Sequence, residues 1–539
     1  MEVDYVIVGA GSAGCVVAER LGRQPGSRVL VLEAGPEDSS FWIRMPLGYG
    51  KLFYDRRFNW CYTARPDPGL NGREDYWPRG RVVGGSSSIN AMVYIKGDAH
   101  GYAQWQQATG DAGWGPESMA AQLRQIESYE QGGNEWRGGT GPLPAHSIQD
   151  EAHPLTQAFL DGCAELGLPR NVDFNGASQE GVGLYQVNTR NGKRVSAADA
   201  FLRPALSRGN VTLLTGAQVL GLVFDGSRCI GVRYQRGGQI ETQYARAEVI
   251  VAAGAVESPK LLQLSGIGPG VLLQRHGIPV RFDNPNVGDH LQDHLGVGYN
   301  FRSRLPTLNQ ELAPLLRRLF NGARYLLTGR GPLALSVNQV GGFFRSSAAR
   351  NWPNIQLYMQ LLTTLEAKKG SRPLLTPDPH PVLSLAVTNA HPRSRGSIMI
   401  DSPDAIQPPA IRPNAYDVPE DLEEMLEAVK FIRRLAATPP MRAIIAEELR
   451  PGPQCSSDDE LRNDIRQRSA TVYHPCGTCA MGADPQRSVL DADLRVRGIA
   501  GLRVVDASAF PNILSGNINV PVMLLASLAA ERIVRAAKN

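Results

Sequence analysis

The sequence predicts an α/β fold on three observations. First, Tyr5–Val8 is a short apolar run ending in Gly9-Ala10-Gly11-Ser12-Ala13-Gly14. A helical pattern through Val16, Val17 and Leu21 follows it, then a second apolar run, Val29–Leu32, that ends in Glu33. Second, VTLLTGAQVLGLVFD (211–225) and EVIVAAGA (248–255) read as buried or half-buried strands. Third, DVPEDLEEMLEAVKFIRRL (417–435) sets Leu422, Met425, Leu426, Val429 and Ile432 at helical spacing. Acids crowd its first turn and Arg433–Arg434 its last, as the helix dipole favours, and the stripe reads as core packing.

Strand, glycine turn, helix, strand and acid together make a βαβ dinucleotide-binding unit. Gly9 permits the tight turn, Gly11 lets the backbone approach a pyrophosphate, and Gly14 allows close helix–strand packing. Ser12 and Ala13 open the helix, whose free N–H groups and positive dipole end face the phosphates. Glu33 lies 19 residues after Gly14, where a carboxylate accepts ribose hydroxyls and repels a 2′-phosphate. No second complete fingerprint occurs, which favours a bound flavin dinucleotide reduced directly by the substrate over a nicotinamide enzyme.

With 539 residues the chain has room for two or more domains, or for one with large insertions. Its 42% apolar and 20% charged residues are ordinary for a globular enzyme, and the net charge of +4 gives no reason to expect nucleic acid or an anionic membrane as partner. Seven scattered cysteines suit a reducing compartment better than a disulfide framework. The N-terminus is acidic where a signal peptide would be basic, and VPVMLLASLAA (520–530) is too short to span a bilayer. A cytoplasmic protein without a transmembrane segment is expected, with peripheral membrane association left open.

Four stretches carry a specific resemblance. GRVVGGSSSIN (80–90) and GAVESPKLLQLSGIG (254–268) resemble the two signatures of the glucose–methanol–choline (GMC) oxidoreductases. TVYHPCGTCAMG (471–482) and LRVVDASAFP (502–511) extend the likeness over essentially the whole chain. The resemblance implies a Rossmann-like FAD-binding domain assembled from 1–150, 195–300 and 465–539. It also implies an α+β substrate domain from 151–194 and 301–464, with an antiparallel sheet over the flavin. Residues 81–93 would wrap the cofactor, through Arg81, Val83, Gly84, Gly85, Ser86, Ser87, Asn90, Ala91, Met92 and Val93. Val219 would meet the adenine end, and Ala253, Gly254, Asp506 and Ala507 would return strands to it. Some relatives attach the flavin to a histidine just before Asn90; here that residue is Ile89, so FAD is expected to be non-covalent.

By the same resemblance His474 is the catalytic base and Asn517 orients the substrate oxygen, while Asn519 and Pro521 open a last helix whose N-terminus faces the flavin. Two other readings of the local sequence compete. Cys476 and Cys479 could be a dithiol pair, although no thioredoxin-like unit surrounds them and packing is the plainer reading. His290 and His294 lie four apart as helical metal ligands would, but no partner cluster accompanies them and no metal is expected. Choline-oxidising relatives have a glutamate where SVNQVGGFF carries Gln339, which disfavours choline and points to a neutral primary alcohol, aliphatic, aromatic or furanic. Electrons would pass to a quinone-like carrier or O₂. Choline dehydrogenation, a lyase of the same fold (hydroxynitrile lyase or fatty-acid photodecarboxylase type) and a non-enzymatic FAD-binding protein are the alternatives. Residues 374–382, with three prolines, read as an exposed loop, and 371–382 as a flap over the entrance.

Overall fold

β-Branched and leucine-rich runs such as VDYVIV and VLVLE, buried on both faces, are what a central parallel sheet requires. In the computed structural model, which describes residues 2–365 and 376–538, such runs form the middle of the first of two seven-stranded sheets. The chain begins in that sheet with β1 (Val3–Val8), α1 (Ser12–Leu21) and β2 (Val29–Glu33). It lends β3 (Gly181–Leu184) to the second sheet. It then returns for β4 (Val211–Thr215), β5 (Gln218–Asp225), β6 (Arg228–Arg236) and β7 (Gln239–Val251). After α2 (Gly254–Leu264) come β8 (Leu295–Ser303), α3 (Leu315–Thr328), β9 (Asn338–Phe344), β10 (Ile355–Gln360) and β11 (Val382–Asn389). Next are α4 (Pro419–Ala436), β12 (Ile445–Arg450) and β13 (Ala470–Thr471). The chain closes in the first sheet with β14 (Leu502–Val504) and α5 (Asn519–Lys538).

The first sheet runs parallel through β4, β2, β1, β7 and β14, with Val6 opposite Leu30 on one side and Val249 on the other. The long strand β7 serves two arrangements. Its C-terminal half joins the parallel stack, and its N-terminal half pairs antiparallel with β6 in a meander that reaches β5. This is the α/β architecture expected from the βαβ unit, with α1 and α5 packed together against it.

The second sheet is antiparallel, ordered β12, β8, β11, β10, β9, β3, with β13 also paired to β8. Strand β8 runs through residue 300 and β13 lies at 470–471, so the segments 195–300 and 465–539 do not belong wholly to the first sheet. Each lends a strand to the second. Alternation divides its faces by size. Tyr299, Phe301, Leu383, Leu385, Val387, Leu357 and Met359 pack with Leu422, Met425, Leu426, Val429 and Ile432 of α4 in one core. Gly296, Gly298, Asn300, Ser384, Ala386, Thr388, Tyr358 and Gln360 line a cavity on the other side. Burial of each leucine is worth about 1.5–3 kcal/mol, so the large residues hold the sheet on α4 while the small ones leave room.

This division makes adjacent residues respond oppositely. Leu385→Ala is expected to cost about 2–5 kcal/mol in urea unfolding. Ala386→Leu is expected to leave the unfolding midpoint close to wild type while raising the KM for any substrate that enters the cavity.

Candidate active site

The cavity, about 1000 Å³, lies between the two sheets. Three helix N-termini open onto it, through Gly11, Ser12 and Ala13 of α1, Ala253 and Gly254 of α2, and Asn517 and Asn519 of α5. Gly11 caps α1 without a side-chain hydrogen bond, which leaves the first-turn amides for a ligand. The space beside them is open: a Cβ on Gly254 would meet nothing within 4 Å, and one on Gly11 only the Ala252 carbonyl at 3.9 Å. The α1 and α5 termini are tied together by the Ser12 hydroxyl, which donates to Asn519 Oδ1 at 2.8 Å. Glu33 accepts from the amides of Ala10 and Gly35, each at 2.9 Å, and burial raises its carboxyl to about 7 despite those bonds.

His474 and Asn517 also line the cavity. Tyr473 is held in the left-handed region at φ 75°, an uncommon conformation for an aromatic residue. Its neighbours pin it there. Its carbonyl accepts from Arg79 Nη2 at 2.6 Å and its amide donates to Thr471 Oγ1 at 2.8 Å. The amide of His474 donates to Asp293 Oδ1 at 2.8 Å, and the Thr471 hydroxyl donates to the same carboxylate.

The His474 ring belongs to a chain of hydrogen bonds whose proton positions follow from its far end. The Ala390 carbonyl can only accept, so His294 Nε2, 3.0 Å from it, carries a hydrogen. Neutral His294 then offers a lone pair at Nδ1, which lies 3.0 Å from His474 Nδ1. That atom must donate, and His474 Nε2 is left as a bare acceptor, meeting the Asn517 amide at 3.1 Å. Every contact in the chain is satisfied when both rings are neutral, and the electrostatics favour that state. Burial, with His294 and Arg79 nearby, pushes His474 well below its usual pKa, and burial takes His294 to about 3.

Comparison with known proteins places the chain in a family. The N- and C-terminal models of the GMC oxidoreductases match residues 3–296 and 392–526. The chain belongs to the GMC oxidoreductase family. It is 40% identical to an alcohol dehydrogenase [acceptor] of Pseudomonas putida over 538 residues, 99% of this chain and 96% of that one. It is 39% identical to an oxygen-dependent choline dehydrogenase of Photobacterium profundum, covering 98% and 93%. Among solved structures it is similar to pyridoxine 4-oxidase from Mesorbium loti, with a TM-score of 0.88 and 33% identity over 98% of this chain and 99% of that one. The cofactor of this family is FAD, and the chain is an FAD-dependent oxidoreductase acting on alcohols. The residues present fit it: amides at three helix ends for the phosphates, open space at Gly11 and Gly254, and a buried Asn517 Oδ1 with no hydrogen-bond partner among the described residues.

Most of the residues picked out for the GMC cofactor line the cavity: Gly9, Gly11, Ser12, Ala13, Glu33, Gly85, Ser86, Asn90, Ala91, Met92, Val93, Val219, Ala253, Gly254, Asp506, Ala507 and Asn519. Six stand behind the wall. Gly14 packs on the Gly9 carbonyl, where a Cβ would come within 1.9 Å. Arg81 lies over the Trp60 ring at 4.9 Å, and Val83 and Gly84 donate their amides to Pro36 and Ala10. The Ser87 hydroxyl bridges the Gly84 carbonyl and the Ala197 amide, and Pro521 is buried within α5. Asp506 lines the cavity, yet its carboxylate is taken up by the Gly254 and Ser508 amides and the Ser258 and Ser508 hydroxyls.

The structure also places the other residues weighed in the sequence. Gln339 faces away, accepting the His153 amide at 2.8 Å, at a break in register where Asn338 pairs with Gln360 and Val340 with Met359. Asn338 lines the cavity instead and accepts from Gln360 at 2.7 Å. Residues 371–375 of the expected flap lie outside the described residues. In 376–382, Pro377 and Asp378 are buried, not exposed, and Asp378 accepts from the Thr363 hydroxyl and the Leu365 amide at the cavity wall. His290 and His294 are not helical ligands: their segment is extended, with bridges from Leu291 to Gly396 and Gln292 to Cys476. Cys476 and Cys479 are free and fully buried, and burial pushes both thiols up, away from the thiolate that redox chemistry needs. The sequence did not single out Asp293, Arg79 or the His294 contact.

Gly85 sits at φ 55° with a Cβ position only 2.7 Å from Gly11 Cα. Gly85→Val is therefore expected to purify with little or no flavin, read as a collapse of the ratio of flavin to protein absorbance.

Proposed function

We propose that the protein oxidises a neutral primary alcohol to the aldehyde, with His474 as base. The observation that carries this is the Nε2 lone pair of His474, which borders the cavity and meets only the Asn517 amide, a partner that a substrate hydroxyl can displace. The FAD that the cavity would hold would supply the acceptor for the hydride of the carbinol carbon. The hydroxyl proton goes to His474 Nε2, a transfer typically worth about 10²–10⁴ in rate. The ring then carries a positive charge while Nδ1 still donates to His294, which passes part of that charge toward the Ala390 carbonyl. With the substrate hydroxyl at Nε2 in place of Asn517, the Asn517 amide donates to the substrate oxygen instead. The uncharged Asn338 and Gln360 on the sheet face support a neutral substrate. Ile89 at the cavity wall offers no nucleophile, which supports non-covalent FAD. A quinone-like carrier or O₂ takes the electrons.

One observation favours choline as a second reading. Phe53, Tyr54, Tyr76 and Tyr473 cluster at the cavity, with ring centroids 4.6–5.5 Å apart, and such faces attract a quaternary ammonium. The same cluster suits an aromatic alcohol.

Anaerobic reduction of the flavin across a panel of alcohols that includes choline separates the two. Faster reduction by neutral primary alcohols is expected, and faster reduction by choline would reverse the assignment. Peroxide formed on readmission of air identifies O₂ as acceptor. His474→Ala is expected to slow reduction by about 10²-fold or more with FAD still bound and still released by acid. Because the His474 pKa is depressed, the lone pair persists as pH falls through 6.5. The acidic limb of the reduction rate is expected below that value, and a limb at or above 6.5 would count against the buried neutral base.

A further inference from the structure

Surface helices usually turn their apolar side inward. Helix α3 does the reverse. Its buried residues are Asn321 and Tyr325, and Asn321 donates its amide to the Glu311 carbonyl at 3.0 Å. Leu315, Leu316, Leu319, Phe320, Leu326 and Leu327 are exposed, Leu316 to 81% and Leu327 to 85%. At 3.6 residues per turn these six and Ala323 fall within one arc of about 140°, a continuous apolar stripe. Arg317 and Arg324 border it on one side and Arg318 on the other, and residues 315–330 contain four arginines and no acid. Among the described residues none of the four forms an ion pair.

The patch continues beyond the helix. Exposed Phe41 stands edge-on to Tyr325 at 6.3 Å and to Trp42 at 5.4 Å, and Lys51 lies 5.9 Å from the Trp42 ring. The same stretch of chain supplies Tyr49, Phe53 and Tyr54 to the cavity wall.

We propose that α3, with Phe41 and Trp42, docks the protein in the plane of a lipid bilayer bearing anionic headgroups. The leucine stripe enters the acyl boundary and the flanking guanidinium groups meet phosphates, the division of labour of an interfacial amphipathic helix. Charge selects this partner over a second copy of the chain, since two such faces would bring like-charged arginines together. No helix among the described residues is long and apolar enough to cross a membrane, so the attachment is in-plane. The docked face places the 49–54 wall of the cavity beside the lipid.

The test is co-sedimentation of the full-length holoenzyme with vesicles of phosphatidylcholine alone or mixed with phosphatidylglycerol. Binding to the mixed vesicles is expected to be about 10-fold or more tighter than to phosphatidylcholine alone, and to weaken with added salt. Leu316→Ser/Phe320→Ser/Leu327→Ser is expected to lose about 10-fold or more of that binding while keeping its Tm, flavin content and turnover of a water-soluble alcohol with a soluble dye. Arg317→Gln/Arg318→Gln/Arg324→Gln is expected to lose the preference for anionic vesicles. Wild-type protein that binds neither vesicle, or a triple serine variant that binds like wild type, overturns the proposal. A dimer that the serine variant converts to a monomer, without vesicle binding, overturns it in favour of self-association. Alcohol turnover that persists in any of these cases leaves the oxidation chemistry standing.

Discussion

The hydrogen bond from His294 Nε2 to the Ala390 carbonyl governs the protons of everything between β11 and the cavity. A carbonyl has no second role to play, so each atom along the relay is committed in turn, until His474 presents a lone pair and no hydrogen to the ligand space. Burial reinforces this by keeping both imidazoles neutral. Around the relay the backbone is over-determined: Asp293, Thr471 and Arg79 hold a left-handed Tyr473 that would otherwise relax and rotate the histidine away.

The relay is useful only because the two sheets divide their labour. One turns helix ends toward the cofactor; the other is packed on α4 by its large residues and keeps glycine, serine and alanine for the cavity. Asp506 and Glu33 illustrate the cost of shaping such a site. Both are buried acids at the cavity wall that also fix their own loops, Glu33 by accepting two amides and Asp506 by accepting two amides and two hydroxyls.

What could be read from the chain follows sequence distance. The βαβ unit lies within residues 3–33, and its glycines carry their own geometry, so the cradle was legible. His474 and Asn517 were reached through family motifs. The role of His294 was not legible, because its partners, Ala390 and His474, are 96 and 180 residues away. Gln339 was one residue off: in a strand that error exchanges the cavity for the interior. The docking helix escaped notice for a different reason. A net charge of +4 averages away four local arginines, and LLRRLFNGARYLLT has the ordinary period of a core-facing helix. Only its orientation on the protein reveals which side is wet.

The Ser12–Asn519 hydrogen bond joins residues 507 apart, and β1 waits for β7 and β14 before its sheet is whole. During synthesis the first βαβ unit emerges with an unpaired apolar strand edge. At roughly 5–20 residues per second it stays that way until β7 arrives, and the α5 end of the cradle comes tens of seconds later still. The two helix ends that meet at Ser12 and Asn519 are therefore joined only after most of the chain between them exists, so completion of the cofactor cradle is a late step of folding in this topology.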